Sequence, residues 1–407
     1  MINKYGTSSL KVFITILLEK LLKSRLGFDQ AVKIAIKKSS LSKEDRAISY
    51  RIGYETVVNF YGLKMLAKNR GFGVSVASIA EYLESIRFDF EEYRRRIIEL
   101  TSNYPITLKL SLRYSYPSWL VKKLIGLIGV EETEKTLKSL NEKKRWVRVN
   151  TLTVKVEEAM KCLNDEEIEF HPHSEFEDLF KIDDPFYPIG KSNCVKKGYL
   201  IPEDIGSYIM VESIQQLVGQ DLLDACSAPG VKLLHLLSRR RISSVVIVDY
   251  SLKRLLYVRS LLRYLEGGLK SIIIHGDSRI IEYGRRFSTI ILDAPCSGSG
   301  AVYGDPSVKL RLSKSELERY HEIQYRLLSN ALKNGYDIIY ATCSIIPLEG
   351  EIVVQKLVDK YGVELVRLNY PYLDPSYPSY RVSQKTHRIR PHRVDGQGFF
   401  IAIIRGS

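Results

Sequence analysis

Apolar residues recur at helical spacing through the first hundred residues of the chain. Val12, Phe13, Ile16, Leu17 and Leu21 form one stripe, which predicts an amphipathic helix. Ala31, Ile34 and Ala35 predict a second helix that ends near Ser39-Ser40. Ser42-Lys43-Glu44-Asp45 reads as the start of a third, with Ser42 as N-cap and the helix running past Tyr54 and Val57 toward Leu66. No strand-like alternation interrupts residues 8–100, so an all-α bundle is expected there. Tyr116-Pro117-Ser118-Trp119 opens a further helix, residues 131–140 add another, and Trp146-Val147-Arg148-Val149-Asn150 is the first expected strand after them. Residues 151–200 alternate short helix and strand patterns and carry an acidic tract from Glu166 to Asp184.

The period changes at about residue 205. Strand-like runs occur at 221–225, 244–248, 271–275, 289–292, 337–341 and 398–404, with helical patterns between them. That alternation predicts an α/β fold built on a doubly wound, mostly parallel sheet. Three parts are expected: an all-α domain over 1–105, a small linking α/β subdomain over 106–203, and the doubly wound domain over 204–407.

Charge adds a partner to this picture. Lys plus Arg is 61 against 47 Asp plus Glu, a net charge of +14. The basic excess sits in residues 1–150, while 151–200 are net acidic. A basic N-terminal third fits a polyanion, through counterion release from phosphates. A solvated, Lys-rich surface on a robust protein explains the same charge equally well. Arg94-Arg95-Arg96 and Lys143-Lys144-Arg145 are the expected grips on RNA. No apolar run is long enough to span a bilayer. Val12 to Leu22 is broken by Thr15, Glu19 and Lys20 and lacks a small-residue cleavage site, so no signal peptide is expected. The five cysteines show no C-x-x-C spacing, which disfavours a zinc site, and with no secretion signal they are expected to be reduced thiols in the cytoplasm.

The chemistry gathers at strand ends, where open α/β sheets bind their ligands. Asp224-Ala225-Cys226-Ser227-Ala228-Pro229-Gly230-Val231-Lys232 is a small-residue turn between a strand and a helix. Such a turn lets backbone N–H groups approach a ligand, but it lacks the G-x-G-x-x-G of a dinucleotide site. Asp249, Asp277 and Asp293 close the next three strands. Singly, each acid is more often a cap or turn residue. Four acids closing four successive strands suit S-adenosylmethionine, whose sulfonium, ribose and adenine each need a polar partner. Cys296, in Asp293-Ala294-Pro295-Cys296-Ser297-Gly298-Ser299-Gly300, and Cys343, in Thr342-Cys343-Ser344, each follow a buried-strand pattern. Cys162, Cys194 and Cys226 read as inert small hydrophobes. A cationic cofactor beside Cys296 and Cys343 would favour thiolate. A thiolate adding to carbon 6 of cytosine makes carbon 5 nucleophilic enough to accept a methyl group.

These motifs make the chain resemble the Nop/Sun family of RNA cytosine-5 methyltransferases, in its RsmB-like branch with a NusB-like helical domain. The D-A-P-C-S-G-x-G motif is complete at 293–300 and T-C-S at 342–344. Arg148-Val149-Asn150-Thr151, Gln324, Pro347-Leu348-Glu349-Gly350-Glu351, Arg390-Pro391-His392 and Gly398-Phe399-Phe400 match further family segments. The resemblance implies a Rossmann-like methyltransferase sheet, S-adenosylmethionine as cofactor, and RNA as substrate, with ribosomal RNA favoured and transfer RNA the alternative. It implies Cys343 as nucleophile, Cys296 as the thiol that assists release, and Asp293 between methyl donor and target base. Cys226, Ser227, Ala228, Pro229, Gly230, Val231 and Lys232 would hold the methionine end of the cofactor. Asp249 would take the ribose and Asp277 the adenine, with Arg254 in the same binding set. No metal, no membrane and a monomer are expected. Val231 stands where the family has a second glycine, and because Val adopts positive φ at a cost, the loop is expected to take a different path. Gly350 stands where the family has Asn. A non-catalytic RNA-binding scaffold is the alternative. An amino-methylating enzyme lacks its Asp/Asn-Pro-Pro-aromatic loop here, and a cysteine hydrolase lacks a histidine in either cysteine motif.

Overall fold

The computed structural model describes residues 7–24, 26–227, 229–262 and 269–406. They divide into two compact units: residues up to 142 together with 302–313, and residues 143–301 together with 314–406.

The first unit is helical. Ser42 caps the helix Lys43–Val58 by accepting from the Asp45 N–H. That helix does not continue to Leu66. It breaks at Asn59, and a new helix, Phe60–Asn69, begins. The break has a tertiary cause: Ser115 Oγ accepts from the Tyr61 and Gly62 N–H groups and so satisfies the donors of a fresh helix start. The helix Ser118–Asn141 is interrupted at Gly129 (φ 77°), giving the two helical stretches expected. The unexpected member of this unit is the segment 302–313, which leaves the first cysteine loop. Lys309 anchors it. Its side chain is fully buried, and Nζ donates to the carbonyls of Val58 and Tyr114 at 2.6 Å and to Asn141 Oδ1 at 2.8 Å.

The second unit holds two sheets. Strands β1 (Trp146–Val149), β2 (Phe170–Pro172), β3 (Leu179–Ile182) and β4 (Leu200–Pro202) form a small antiparallel sheet in the order β2-β3-β1-β4. The large sheet contains β5 (Asp221–Asp224), β6 (Ser244–Asp249), β7 (Lys270–His275), β8 (Phe287–Asp293), β9 (Gly335–Thr342), β10 (Glu364–Val366), β11 (Asp374–Pro375), β12 (Thr386–Ile389) and β13 (Phe399–Arg405). Its order is β11-β12-β13-β9-β8-β5-β6-β7, with β10 on β13. Strands β5 to β9 are parallel, and β13 is antiparallel to β9. One face is covered by Ile209, Ile214, Leu233, Leu236 and Leu255, the other by Leu327, Leu328, Val353, Val354 and Leu357. The sheet is thus buried on both sides, which explains why its central strands read as unbroken apolar runs.

Strands β10 to β12 were not expected from the sequence. Thr386-His387-Arg388-Ile389 looks like a polar loop, yet all four residues are buried. Arg388 pairs with Glu351 and His387 Nε2 accepts from the Leu368 N–H, so the polar groups are satisfied inside.

One expectation is corrected here. Cys162 and Cys194 are joined by a disulfide, with Cα atoms 5.9 Å apart, rather than being separate reduced thiols. They meet because the helix Val156–Asp165 and the turn Asn193–Lys196 share the core of the small subdomain. The Arg94, Arg95 and Arg96 guanidinium groups are paired with Glu55, Glu91, Glu92 and Glu99, which offsets the field expected to grip RNA. Lys144 is buried and pairs with Asp395. Among the described residues, no helix is long and apolar enough to cross a membrane.

Candidate active site

Strands β8 and β9 are parallel neighbours, so their C-terminal ends deliver both cysteine loops to one sheet edge. Asp293 sits opposite Ala341, and the Ala294 N–H donates to the Ala341 carbonyl. The sulfurs of Cys296 and Cys343 are 3.2 Å apart. The Ser-Gly-Ser-Gly run has a steric reason. Gly298 takes φ 73°, and a Cβ on Gly300 would lie 2.2 Å from the Gly398 carbonyl oxygen. That close approach lets the Gly300 N–H donate to the Cys343 carbonyl at 3.0 Å. The Cys296 thiol is pushed well up, first by its hydrogen bond with Cys343, then by burial, then by Glu349. Cys296 is thus held as a thiol, against the expectation of a thiolate there.

Sequence reasoning quoted Glu349 as part of a family segment but gave it no role. The structure makes it the tie between the loops. Its carboxylate is fully buried and accepts from the Ser297 N–H (2.7 Å), Ser297 Oγ (2.6 Å) and Ser344 Oγ (2.6 Å). Gln324 Nε2 donates to the Pro295 carbonyl at 2.9 Å on the same side. Burial pushes the Glu349 carboxyl up, opposed by the Ser297, Ser344 and Gln324 donors. The available signal was two acids, Glu349 and Glu351, inside an otherwise apolar stretch that follows a cysteine motif. Gly350 lies between them against the Phe400 ring, where a Cβ would meet ring carbons at 2.8 Å. The departure from the family's Asn is matched by that ring.

Beside the cysteine loops, a cavity of about 80 Å³ is lined by Asp224, Cys226, Ser227, Pro229, Gly230, Val231, Lys232 and Asp293, with Met210, Val211, Ile214, Leu233, Leu236 and Ile291. The structure thus brings together most of the residues expected at the methionine end of the cofactor; Ala228 lies outside the described residues. The expected strain at Val231 is absent. Gly230 takes the positive φ (84°), and Val231 is the first residue of the helix Val231–Arg239. Lys232 pairs with Asp293 at 2.7 Å. Burial opposes the ammonium, but Asp293, and after it Cys343 and Glu203, hold its pKa above the ordinary range. Asp224 is pushed up to about 7 by burial and by the charge of Asp293. A cavity with two acids and one lysine, where one acid is destabilised as an anion, favours a ligand with a cationic group. S-adenosylmethionine, cationic at both its sulfonium and its amino group, fits that donor set.

The other expected residues close neighbouring strands but do not line this cavity. Asp249 Oδ1 accepts from the Ser251 N–H and from Arg254. Asp277 grips Arg279 through both oxygens, which lowers its pKa.

Residues 214–405 match the family described as 16S rRNA methyltransferase RsmB/F, and residues 116–189 match the ferredoxin-like domain of RsmF/B-like methyltransferases. Over these two segments the chain is similar to the RsmB/F methyltransferases. The chain is 31% identical over 300 residues to Ribosomal RNA small subunit methyltransferase B of Vibrio cholerae, covering 72% of this chain and 65% of the relative. The enzyme of that name from Serratia proteamaculans is 28% identical over 298 residues, covering 71% and 66%. The match therefore spans just under two thirds of these two relatives. A solved methyltransferase homolog protein from Pyrococcus horikoshii shares 27% identity at a TM-score of 0.62, over 74% of this chain and 99% of that one. The crystal structure of PH0851 follows the fold over 99% of both chains, with a TM-score of 0.78 and 21% identity, a likeness of fold alone.

Proposed function

We propose that this protein transfers a methyl group from S-adenosylmethionine to carbon 5 of a cytosine in RNA, ribosomal RNA being favoured over transfer RNA. The observation that carries this reading is the 3.2 Å approach of Cys296 and Cys343 at the sheet edge that also bounds the Asp224–Lys232–Asp293 cavity. The cofactor supplies an electrophilic methyl group. Asp224 and the 226–232 loop bind it, and the Lys232–Asp293 pair fixes charge between cavity and thiols. Cys343 sulfur adds to carbon 6 of the base, forming the S–C6 bond and raising electron density on carbon 5. After carbon 5 is methylated and its proton is lost to a base, the S–C6 bond breaks and the electron pair returns to Cys343. Cys296, held as a thiol, donates a hydrogen bond to the departing sulfur. The target cytosine must leave any stack to reach Cys343.

In Cys343→Ala, methylation of RNA should be lost while calorimetry still shows cofactor binding; undiminished 5-methylcytosine in that variant would sink the reading. Cys296→Ala should accumulate a protein–RNA adduct that survives a denaturing gel. The scaffold alternative rested on Val231 and on the basic helical third, and the first ground weakens because Gly230 rather than Val231 carries the positive φ. Bisulfite sequencing of cellular RNA from a strain lacking the protein identifies the position modified.

A further inference from the structure

Each cysteine is followed by a serine, and both serines report to one carboxylate. Ser297 Oγ and Ser344 Oγ each lie 2.6 Å from Glu349 Oε2, and the Ser297 N–H adds a third bond, to Oε1. Glu349 itself is fixed by its backbone: its carbonyl accepts from Tyr340 Oη at 2.9 Å and Thr342 Oγ1 at 3.1 Å. We propose that Glu349 is a positioning residue that holds the Cys296 thiol against Cys343 and thereby governs release of the RNA adduct rather than its formation. This rests on the reading of Cys343 as attacking sulfur and Cys296 as releasing thiol.

The asymmetry follows from what else holds each loop. The Cys343 loop has anchors besides Glu349. The Ser344 carbonyl accepts from Arg388 Nη1 and the Ile345 carbonyl accepts from Tyr377 Oη at 2.9 Å, both from outside the Cys296 loop, while the Gly300 N–H on the Cys343 carbonyl and the Ser299–Ser344 hydroxyl contact tie the two loops to each other. The residue after Cys296, by contrast, gives both its N–H and its hydroxyl to Glu349, with Gln324 on the Pro295 carbonyl as the neighbouring tie. Removing the carboxylate therefore frees Cys296 more than Cys343. A carboxylate is the group required, because two hydroxyls and an N–H converge on it and an amide would aim its own donors at one of them.

The variant Glu349→Gln is isosteric and tests this in two ways. Phenylarsine oxide bridges two close thiols, forming two As–S bonds and releasing water. Cys162 and Cys194 are already paired, and Cys226 stands alone. One arsenical should bridge Cys296 and Cys343 in the wild type, located by mass spectrometry, and fail to do so in Cys296→Ala. In Glu349→Gln its affinity should fall about tenfold, the loss expected for hydrogen bonds to a charged group. In single-turnover assays with RNA, the variant should form the denaturant-stable adduct within about twofold of wild type but release it about tenfold more slowly, with kcat reduced and KM little changed. Wild-type arsenical affinity and turnover in Glu349→Gln would overturn the proposal. So would equal loss of adduct formation and release. If the arsenical separates the variants but no RNA adduct forms even in the wild type, the positioning stands and the methylation reading fails. Ser297→Ala removes one of the four bonds the carboxylate accepts, the fourth being from Gln324 Nε2 at 3.4 Å, and keeps the test open if Glu349→Gln does not fold; it should show the same pattern more weakly, and a wild-type release rate there would count against Glu349.

Discussion

Two lysines drawn into the protein are held in opposite ways. Lys232, in the unit that holds the two sheets, keeps 23% of its side chain exposed and faces Asp293 at 2.7 Å. Its ammonium is held charged, with Cys343 within its field. Lys309, in the helical unit, is fully buried and has three neutral oxygens around it, with the Tyr116 ring 4.1 Å away. Burial, with no carboxylate to oppose it, pushes its pKa well down. The same side chain thus serves as a carboxylate-paired charge in one unit and as a buried anchor among neutral oxygens in the other. A carboxylate partner makes the difference, since burial alone disfavours the charged form.

Substituting each lysine by Met separates the two roles. Lys232→Met leaves Asp293 unpaired beside Asp224, and methyl transfer to RNA should fall about 10²–10³-fold, the scale of losing a preorganised charge at a reacting centre. Lys309→Met takes a donor from three buried acceptors, of which the Tyr114 carbonyl keeps Asn141 Nδ2, and should lower the free energy of unfolding by about 3 kcal/mol in a urea titration, with much less effect on the chemical step. A Lys309→Met protein of unchanged stability would remove the contrast.

The pH dependence of stability sharpens it. At Lys309 the folded state binds fewer protons than the unfolded, so stability should rise as pH climbs from its lowered pKa toward the ordinary lysine value, by up to about 1.4 kcal/mol per pH unit. At Lys232 the sign reverses: its contribution is present below the ordinary lysine pKa and is lost only as pH rises through the raised folded value. Lys309→Met should flatten the first slope and Lys232→Met should not. The smallest effect concerns Asp224. A carboxylate titrating at about 7 attracts a cation less as pH falls, so S-adenosylmethionine affinity should weaken below that pH, and Asp224→Asn should remove the dependence in calorimetry.

Much of the site was legible because parallel strands buried on both faces announce themselves as apolar runs and end in short polar loops. The four acids at strand ends and both cysteine motifs were readable for that reason. Glu349 was not, because its importance lies in serines 52 and 5 residues away along the chain. Strand β12 was hidden by Arg388 and His387, whose burial depends on Glu351 and on the Leu368 N–H. The break at Asn59 depends on Ser115, and local propensity contains no trace of it.

By itself, the sequence determined where strands β1, β5 to β9 and β13 and most helices lie, which loops carry the thiols and acids, and that the N-terminal third is helical and basic. Those properties come from local periodicity and from residue types in fixed short frames. Only the tertiary structure decided that the two sulfurs stand 3.2 Å apart and that one carboxylate ties their loops. It also decided that Cys162 and Cys194 are bonded and that residues 302–313 belong to the helical unit. Each of these joins groups distant in sequence, and a hydrogen bond or buried charge finds its partner only once packing has excluded water from both.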